Sequence, residues 1–406
     1  MEVDYVAEIL DRMNIDNQVF VYGLGGCGKS VTLSKLVEIL DDSITILAPT
    51  NAAKKVIKKM IKDSDNIQFG TLHQYLGLAG VDKEDIPLGM QPGETKFEKV
   101  KDGMCATKYV LIDEIGMVDG SMVYDVIAKS SDENIESKFI YFGDKMQLLP
   151  VNGEQFDLLD IIPSVHLEKQ WRQKLSNTSL SNSIKTFTDA ISDGSNVVGK
   201  LLECDNTLEE VESLIDLYCD GSVDVIGCWT NATVVAYNEA IQEKLNGTTD
   251  VQAGDTLLLY EPIVTWVKDT NGKYGAKVLA NNGDFVQVSR VYKRNGLNMY
   301  DLIIDDKVEE YGFYLSNPLD KNYAWKLYEK LNPFRSNNKS WGFFKNNCID
   351  ARLPYSRTIH KLQGSTVKSI GLNVNDIDRA MFDKDLYNRL MYVGLSRATD
   401  KVYYVR

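Results

Sequence analysis

Short apolar runs alternate with helix-period segments through the first half of the chain. VFVY (19–22), ITILA (44–48), YVLID (109–113) and KFIYF (138–142) predict buried strands. Between them SVTLSKLVEIL (30–40) and NAAKKVIKKMI (51–61) carry the amphipathic helical period. This alternation is the signature of a parallel α/β sheet. In the second helix the lysines at 54, 55, 58 and 59 fall on one side, which a solvated face explains as well as a contact surface does.

The order breaks twice. Residues 77–107 are polar and turn-rich, too long for a plain loop, and predict a small hairpin turning at QPGE. Residues 246–354 change texture again. DTLLLYEPIVTWV, GDFVQVSRVYK and NMYDLIID, separated by NG and NNG turns, predict a small β-barrel or meander, followed by an aromatic helical stretch, YAWKLYEKL to WGFFKNN. RTIHKLQGS and MYVGLSRATDKVYYV then restore the α/β pattern, so a second α/β domain is split by an insertion. The expected division is 1–76 with 108–170, hairpin 77–107, 171–245 with 355–406, and insertion 246–354. No internal repeat interrupts this.

At 406 residues the chain is long enough for two or more domains, and 44% apolar with 25% charged residues is ordinary globular composition. No apolar run approaches the roughly 20 residues of a membrane span. The amphipathic, acidic start MEVDYVAEIL is not a signal peptide, which makes the cytoplasm the expected compartment. Six scattered cysteines without a CxxC pair predict neither a zinc site nor a disulfide framework. Cys27 lies inside a glycine-rich loop, where a small filler residue is the simple reading. A net charge of −13 means that any nucleic acid must be held by a few placed residues along a groove.

The chemistry begins at GLGGCGKS (23–30), which fits G-x-x-x-x-G-K-[ST] between a predicted strand and a predicted helix. Gly23, Gly25, Gly26 and Gly28 allow backbone N–H groups to turn toward phosphate oxygens, with the helix dipole behind them. Lys29 is expected to neutralise the β- and γ-phosphates of ATP, and Ser30 to ligate Mg²⁺. VLIDEIGM ends the third strand with Asp113, expected to hold magnesium through water, and Glu114, expected to polarise the attacking water. In GDKMQLLPV, Gln147 can bond the γ-phosphate and report its presence. Arg172 in LEKQWRQ and Arg397 in YVGLSRA are candidates to meet developing phosphoryl charge from a domain that closes on the loop, although an arginine taken alone is more often a surface or salt-bridge residue.

Taken together and in this order, GLGGCGKS, APTNAAKK, TLHQYL, DEIGM, GDKMQLLPV, LEKQWRQ, TIHKLQGST and YVGLSRA resemble the motifs of superfamily-one helicases, within them the RecD-like group, which has a phage member. The resemblance spans nearly the whole chain. It implies two RecA-like P-loop motor domains, a strand-separating hairpin in the first, and an SH3-like barrel with a helical arm in the second. It adds Gln363 and Gly364 to the nucleotide site. It also places Pro49, Thr50, Asn51, Thr71, His73, Thr230, Asn231, Thr358, His360 and Lys361 along a single-stranded DNA path. Phe97 matches the hairpin's apolar wedge, and would serve equally as an anchor of the hairpin. Trp325, Trp341, Phe343 and Phe344 read as the packing core of the arm before they read as stacking platforms.

The implied activity is a monomeric, ATP-dependent, Mg²⁺-requiring DNA helicase that moves 5′ to 3′ on single strands and opens forks in replication, recombination or repair, with single-strand-binding or replication proteins as possible company. A phage origin, and so a host-cytoplasmic site, follows from the same likeness; the end of the chain at its last predicted strand gives the expectation of no appended nuclease or finger domain. A viral-type RNA helicase and an ATP-gated DNA clamp share part of the pattern. The glutamine that relatives carry upstream of the P-loop has no counterpart, since Gln18 is too close to it. Selection of adenine is therefore left without an assigned residue.

Overall fold

The computed structural model describes residues 4–62, 64–80, 97–99, 103–132, 136–150, 162–172, 178–195, 197, 207–208, 210–268, 274–320, 322–331, 344 and 347–406. The chain divides into two compact units, one made of residues 1–209 with 359–406 and the other of Glu210–Thr358. These units cut across the expected second α/β domain, because its last segment groups with the P-loop half.

In the first unit six strands form a parallel sheet in the order Ile67–Thr71, Ile44–Ala48, Tyr109–Ile112, Lys138–Gly143, Gln18–Tyr22 and Ser164–His166. A parallel sheet is covered on both faces, so its central strands are mostly apolar and every residue of Ile44–Ala48, Thr45 included, is buried. One face packs Val6, Ile9 and Met13 of the helix Tyr5–Met13 against Leu33 and Leu36 of the helix Lys29–Ile39. The other packs Phe20 and Tyr141 against Tyr75, Val123 and Val126. The four sequence-predicted strands occur within a residue of their expected ends. Ile67–Thr71 and Ser164–His166 were not expected.

The hairpin segment is described only at its base, where Leu78–Gly80 pairs antiparallel with Phe97–Lys99. Lys129 fixes that base by donating to the carbonyls of Tyr75 at 2.9 Å and Met104 at 2.5 Å. The rest of the predicted hairpin, and the side chain of Phe97, lie outside the described residues. The same unit contains a parallel set, Val367–Asn373 beside Ala398–Val405 beside Thr207–Leu208. Here the helix Lys384–Ser396 packs on Thr178–Asp193, with the Phe187 and Tyr387 rings edge to face.

The second unit pairs Val225–Cys228 with Ser356–Thr358 in parallel beside the helix Asn231–Asn246. That helix stops at Gly247, whose φ of +70° is the left-handed cap that glycine adopts without strain. A mixed sheet follows, ordered Cys348–Ile349, Lys307–Leu315, Leu297–Ile304, Phe285–Arg294, Thr256–Leu259 and Ala351–Arg352, antiparallel throughout except where Cys348–Ile349 joins Lys307–Leu315 in parallel. Its hairpins turn at Asn295-Gly296 and Asp305-Asp306, all at positive φ, as two-residue turns of the right twist require. Of the aromatic stretch, Phe344 is buried against Tyr314 and Tyr328, as expected of a core residue. Trp325, on the helix Tyr323–Leu331, is 45% exposed and differs from that expectation. Trp341 and Phe343 lie outside the described residues.

Candidate functional site

The carboxyl ends of the parallel strands gather the candidate chemistry, the usual place for a ligand in an open α/β sheet. Gln18–Tyr22 runs into Gly23, whose N–H donates to the Gly143 carbonyl at 3.2 Å. Gly26 and Gly28 hold φ near +90°, and a Cβ on Gly26 would lie 2.4 Å from the Arg172 Cβ. Gly28 caps the helix Lys29–Ile39 with no side-chain bond to its first amides, so those N–H groups remain for an anion. Lys29 is buried, its ammonium donating to the carbonyls of Gly23 at 2.7 Å and Leu24 at 3.1 Å. Ser30 follows it on the first turn.

Asp113 ends the strand Tyr109–Ile112 and is buried, its N–H donating to the Leu47 carbonyl at 2.9 Å. Burial, reinforced by the neighbouring Glu114, pushes the Asp113 carboxyl up to about 7, against the pull of Lys29. Glu114 sits at φ +49°, a left-handed conformation that costs a non-glycine residue roughly 1 kcal/mol or more. Such strain persists only where the surroundings enforce it, here at the turn into the short helix Ile115–Met117.

Arg172 and Arg397 converge on the loop. A Cβ on Gly25 would lie 3.1 Å from a terminal nitrogen of Arg397 and 3.3 Å from one of Arg172. Arg172 donates to the Ser396 carbonyl at 2.9 Å, and Arg397 is fully buried, donating to the Val393 carbonyl at 3.2 Å and the Ser396 hydroxyl at 3.1 Å. Burial, then the charge of Arg397, lowers the Arg172 guanidinium to about 10, with Glu114 and Asp144 opposing. Two crowded guanidiniums beside a phosphate loop are completed by an anion. Both arginines flank Gly25 within one compact unit.

Gln147 is buried in the turn after Lys138–Gly143, its amide 3.4 Å from Asp144 Oδ2. Sequence reasoning missed three residues around this loop and turn. Tyr392 is buried, accepts the Gly25 N–H at 2.8 Å and donates to Asp144 Oδ2 at 2.5 Å. Arg389, one turn earlier on the same helix, donates to the carbonyls of Lys145 at 2.7 Å and Gln147 at 2.8 Å. Trp171, 59% exposed, has its ring 3.5 Å from a Cβ position on Gly28. Gln363 is half-buried with an unbonded amide nitrogen, and Gly364 has φ +74°. The following Ser365 carbonyl accepts from Arg397 at 3.5 Å. Gln18 accepts from the Tyr141 hydroxyl at 2.8 Å, at the end of its strand remote from the loop.

The residues proposed for the strand path follow a common local plan. Thr50, Thr71 and Thr230 are each a helix N-cap, accepting the N–H of Ala53, Gln74 and Thr233. Thr71 forms a full capping box with Gln74. Each cap satisfies one first-turn amide with the threonine hydroxyl. Pro49 is half-buried, and the Asn51 side-chain Oδ1 is buried without a partner. His73 and His360 are held below the usual imidazole range by burial, and so are neutral donors at pH 7; Lys361 follows on the same short helix.

In the second unit Thr358 ends its strand, and Asn231 accepts from Arg352 at 2.7 Å. Arg352 also stacks 3.7 Å over Tyr260 and pairs with Asp350 at 2.7 Å. Arg357 lies 5.2 Å over Phe285, which is 54% exposed, and its Nε has no partner. Interleaved guanidinium and aromatic groups of this kind suit a single strand. None of these four residues belongs to a recognisable motif, so only their neighbourhood reveals them.

The chain matches the model of the AAA domain over residues 8–212. It is 24% identical to the ATP-dependent DNA helicase Dda of Enterobacteria phage T4, over 96% of this chain and 94% of that protein. It is 25% identical to the ATP-dependent DNA helicase Pif1 of Campylobacter jejuni, over 96% and 89%. Among solved structures, one of Pif1 helicases on forked double-stranded DNA superposes with a TM-score of 0.52 at 17% identity, covering all of this chain and 92% of the other. Bacteroides Pif1 bound to single-stranded DNA superposes at 0.50 with 16% identity and the same coverage, a likeness of fold.

Proposed function

Because the chain belongs to the AAA domain family, and within it to the superfamily-one helicases of the Dda and Pif1 kind, we propose that it hydrolyses ATP to move 5′ to 3′ along single-stranded DNA and open the duplex ahead. The observation that carries this reading is the convergence of Arg172 and Arg397 on Gly25, with Lys29, Glu114 and Gln147 in the same unit. A protein that only senses nucleotide has no need of a strained carboxylate and two guanidiniums at one phosphate loop.

Loop amides and the first turn of Lys29–Ile39 bind the phosphates, and the ammonium of Lys29 exchanges its carbonyl partners for them. Glu114 orients water, while Arg172 and Arg397 neutralise the charge that spreads over the terminal phosphoryl group. The buried Asp113 carboxyl, within electrostatic reach of Lys29, fits a hard cation shared with the phosphates. Bound Mg²⁺ would supply Lewis-acid neutralisation there. Residues 1–76 and 108–170 act as the first motor domain, 171–245 and 355–406 as the second, 77–107 as the separating pin, and 246–354 as an SH3-like accessory module. In the first unit the DNA contacts are the capped helices at Thr50 and Thr71 with His360 and Lys361, and in the second unit they are Thr230 and Thr358. Contacts to backbone and base faces give little sequence preference.

A fluorescent fork with a single 5′ or 3′ tail tests substrate, activity and direction together. Unwinding of the 5′-tailed fork alone, dependent on ATP, is expected. Unwinding only from the 3′ tail would overturn the direction, and none from either would overturn the helicase reading.

A further inference from the structure

Two motifs that are far apart in sequence meet at one hydroxyl. The Tyr392 hydroxyl has one proton to give and gives it to Asp144 Oδ2; it also accepts the Gly25 N–H, across 367 residues of chain. A Cβ position on Gly25 lies 3.1 Å from the Arg397 guanidinium and 3.3 Å from that of Arg172, so an anion held by the two arginines would sit against this residue, whose N–H the Tyr392 hydroxyl occupies. A terminal phosphate seated there and the Tyr392 hydroxyl cannot both take that single N–H in good geometry.

The other side of the hydroxyl leads to Gln147. Asp144 binds the Met146 N–H through Oδ1 at 3.0 Å, while Oδ2 is shared between Tyr392 at 2.5 Å and the Gln147 amide at 3.4 Å. The short Tyr392 bond dominates Oδ2 and leaves the Gln147 contact long. Arg389 ties the same helix to the Lys145 and Gln147 carbonyls, so helix and turn are joined at two points a turn apart. Burial and the Asp144 carboxylate keep the phenol protonated, so it remains a donor.

We infer that Tyr392 is a positioning residue that senses nucleotide: its hydroxyl competes with the terminal phosphate of ATP for the Gly25 amide and passes the result through Asp144 to Gln147. The inference rests on the ATP-hydrolysing reading of this site. Displaced from Gly25, the hydroxyl is held by Asp144 alone, and the turn bearing Gln147 is free to settle around the phosphate. ADP, without the terminal phosphate, leaves the Gly25 bond in place.

The test is calorimetric binding of AMP-PNP and of ADP to the full chain without DNA, in wild type and Tyr392→Phe. Removing the competing hydrogen bond is expected to raise the AMP-PNP to ADP affinity ratio about three- to tenfold. With poly-dT present, kcat is expected to fall at least about tenfold with KM for ATP unchanged or lower. Equal loss of both nucleotide affinities, or an unchanged ratio, overturns the inference and leaves Tyr392 a packing residue. Should Tyr392→Phe fail to fold, Asp144→Asn, which spares the Gly25 bond, must lower kcat without moving the ratio; a moved ratio counts against the inference. A wild-type protein that binds nucleotide but is not stimulated by poly-dT overturns the helicase reading, while the binding ratio still decides Tyr392.

Discussion

Asp113 and Glu114 are adjacent, yet the fold gives them different tasks. Glu114 is strained at the turn and sits near enough to Arg172 to raise its proton affinity, as an acid facing the reaction space should. Glu114→Gln is expected to keep nucleotide affinity within about threefold and to lower poly-dT-stimulated turnover by about 100-fold or more. Near-normal turnover in a steady-state assay would put the base elsewhere. Asp113 makes a prediction about pH. Its folded value of about 7 lies above the ordinary 3.8, so the folded chain binds more protons between these limits. The stability it contributes is therefore full below about pH 4 and lost as pH rises through 7. Magnesium needs the carboxylate, so Mg·ATP binding should tighten as pH rises from 5 to 8 and release protons near 6.5. Calorimetry in buffers of different ionisation enthalpy measures that release, and Asp113→Asn should abolish it. At this scale Lys29, Asp113 and Glu114 were legible because short motifs carry them. Tyr392 and Arg389 were not, since their partners lie 248 and 242 residues away and nothing local marks a tyrosine as a junction.

Elements were legible where burial made the sequence uniform and illegible where it did not. Ile44–Ala48 is buried at every position and reads as a strand at once. Ile67–Thr71 carries Gln68 and Thr71 on the sheet edge, and Ser164–His166 has only one buried residue, so neither stands out from a loop. The threonines at 50, 71 and 230 were chosen for their motifs, yet their immediate chemistry is capping, which explains why each precedes a helix. A cap and a phosphate contact coexist, because a cap consumes only one of the free amides. The meander adds a surface that no motif announced. Phe285 begins its strand half-exposed under Arg357, near in sequence to Thr358. Phe285→Ala should weaken poly-dT binding by about 1–3 kcal/mol in an anisotropy titration and leave ATP affinity unchanged. Unaltered DNA affinity would remove this face from the strand path.

For the whole molecule, charge sets the terms on which DNA can be held. A chain of net charge −13 with a positive cluster at the phosphate loop spends much of its buried cationic character on nucleotide, not on nucleic acid. The candidate DNA contacts are largely neutral: capped helix ends, two histidines kept neutral by burial, and aromatic faces, with Arg352 already paired to Asp350. Affinity for single strands should therefore depend weakly on counterion release. For single strands log affinity falls with log salt at about 0.7 per phosphate neutralised, so a handful of contacts predicts a slope no steeper than about −4. Anisotropy titrations of labelled poly-dT between 50 and 300 mM salt measure it directly. A slope near −10 would require a broad basic track, and the contacts proposed at Thr50 and Thr71 in one unit and at Thr230 and Phe285 in the other would then be the wrong ones. A shallow slope together with retained affinity would mean that stacking and backbone amides carry the grip, which leaves the step itself to nucleotide-driven motion at Gly25.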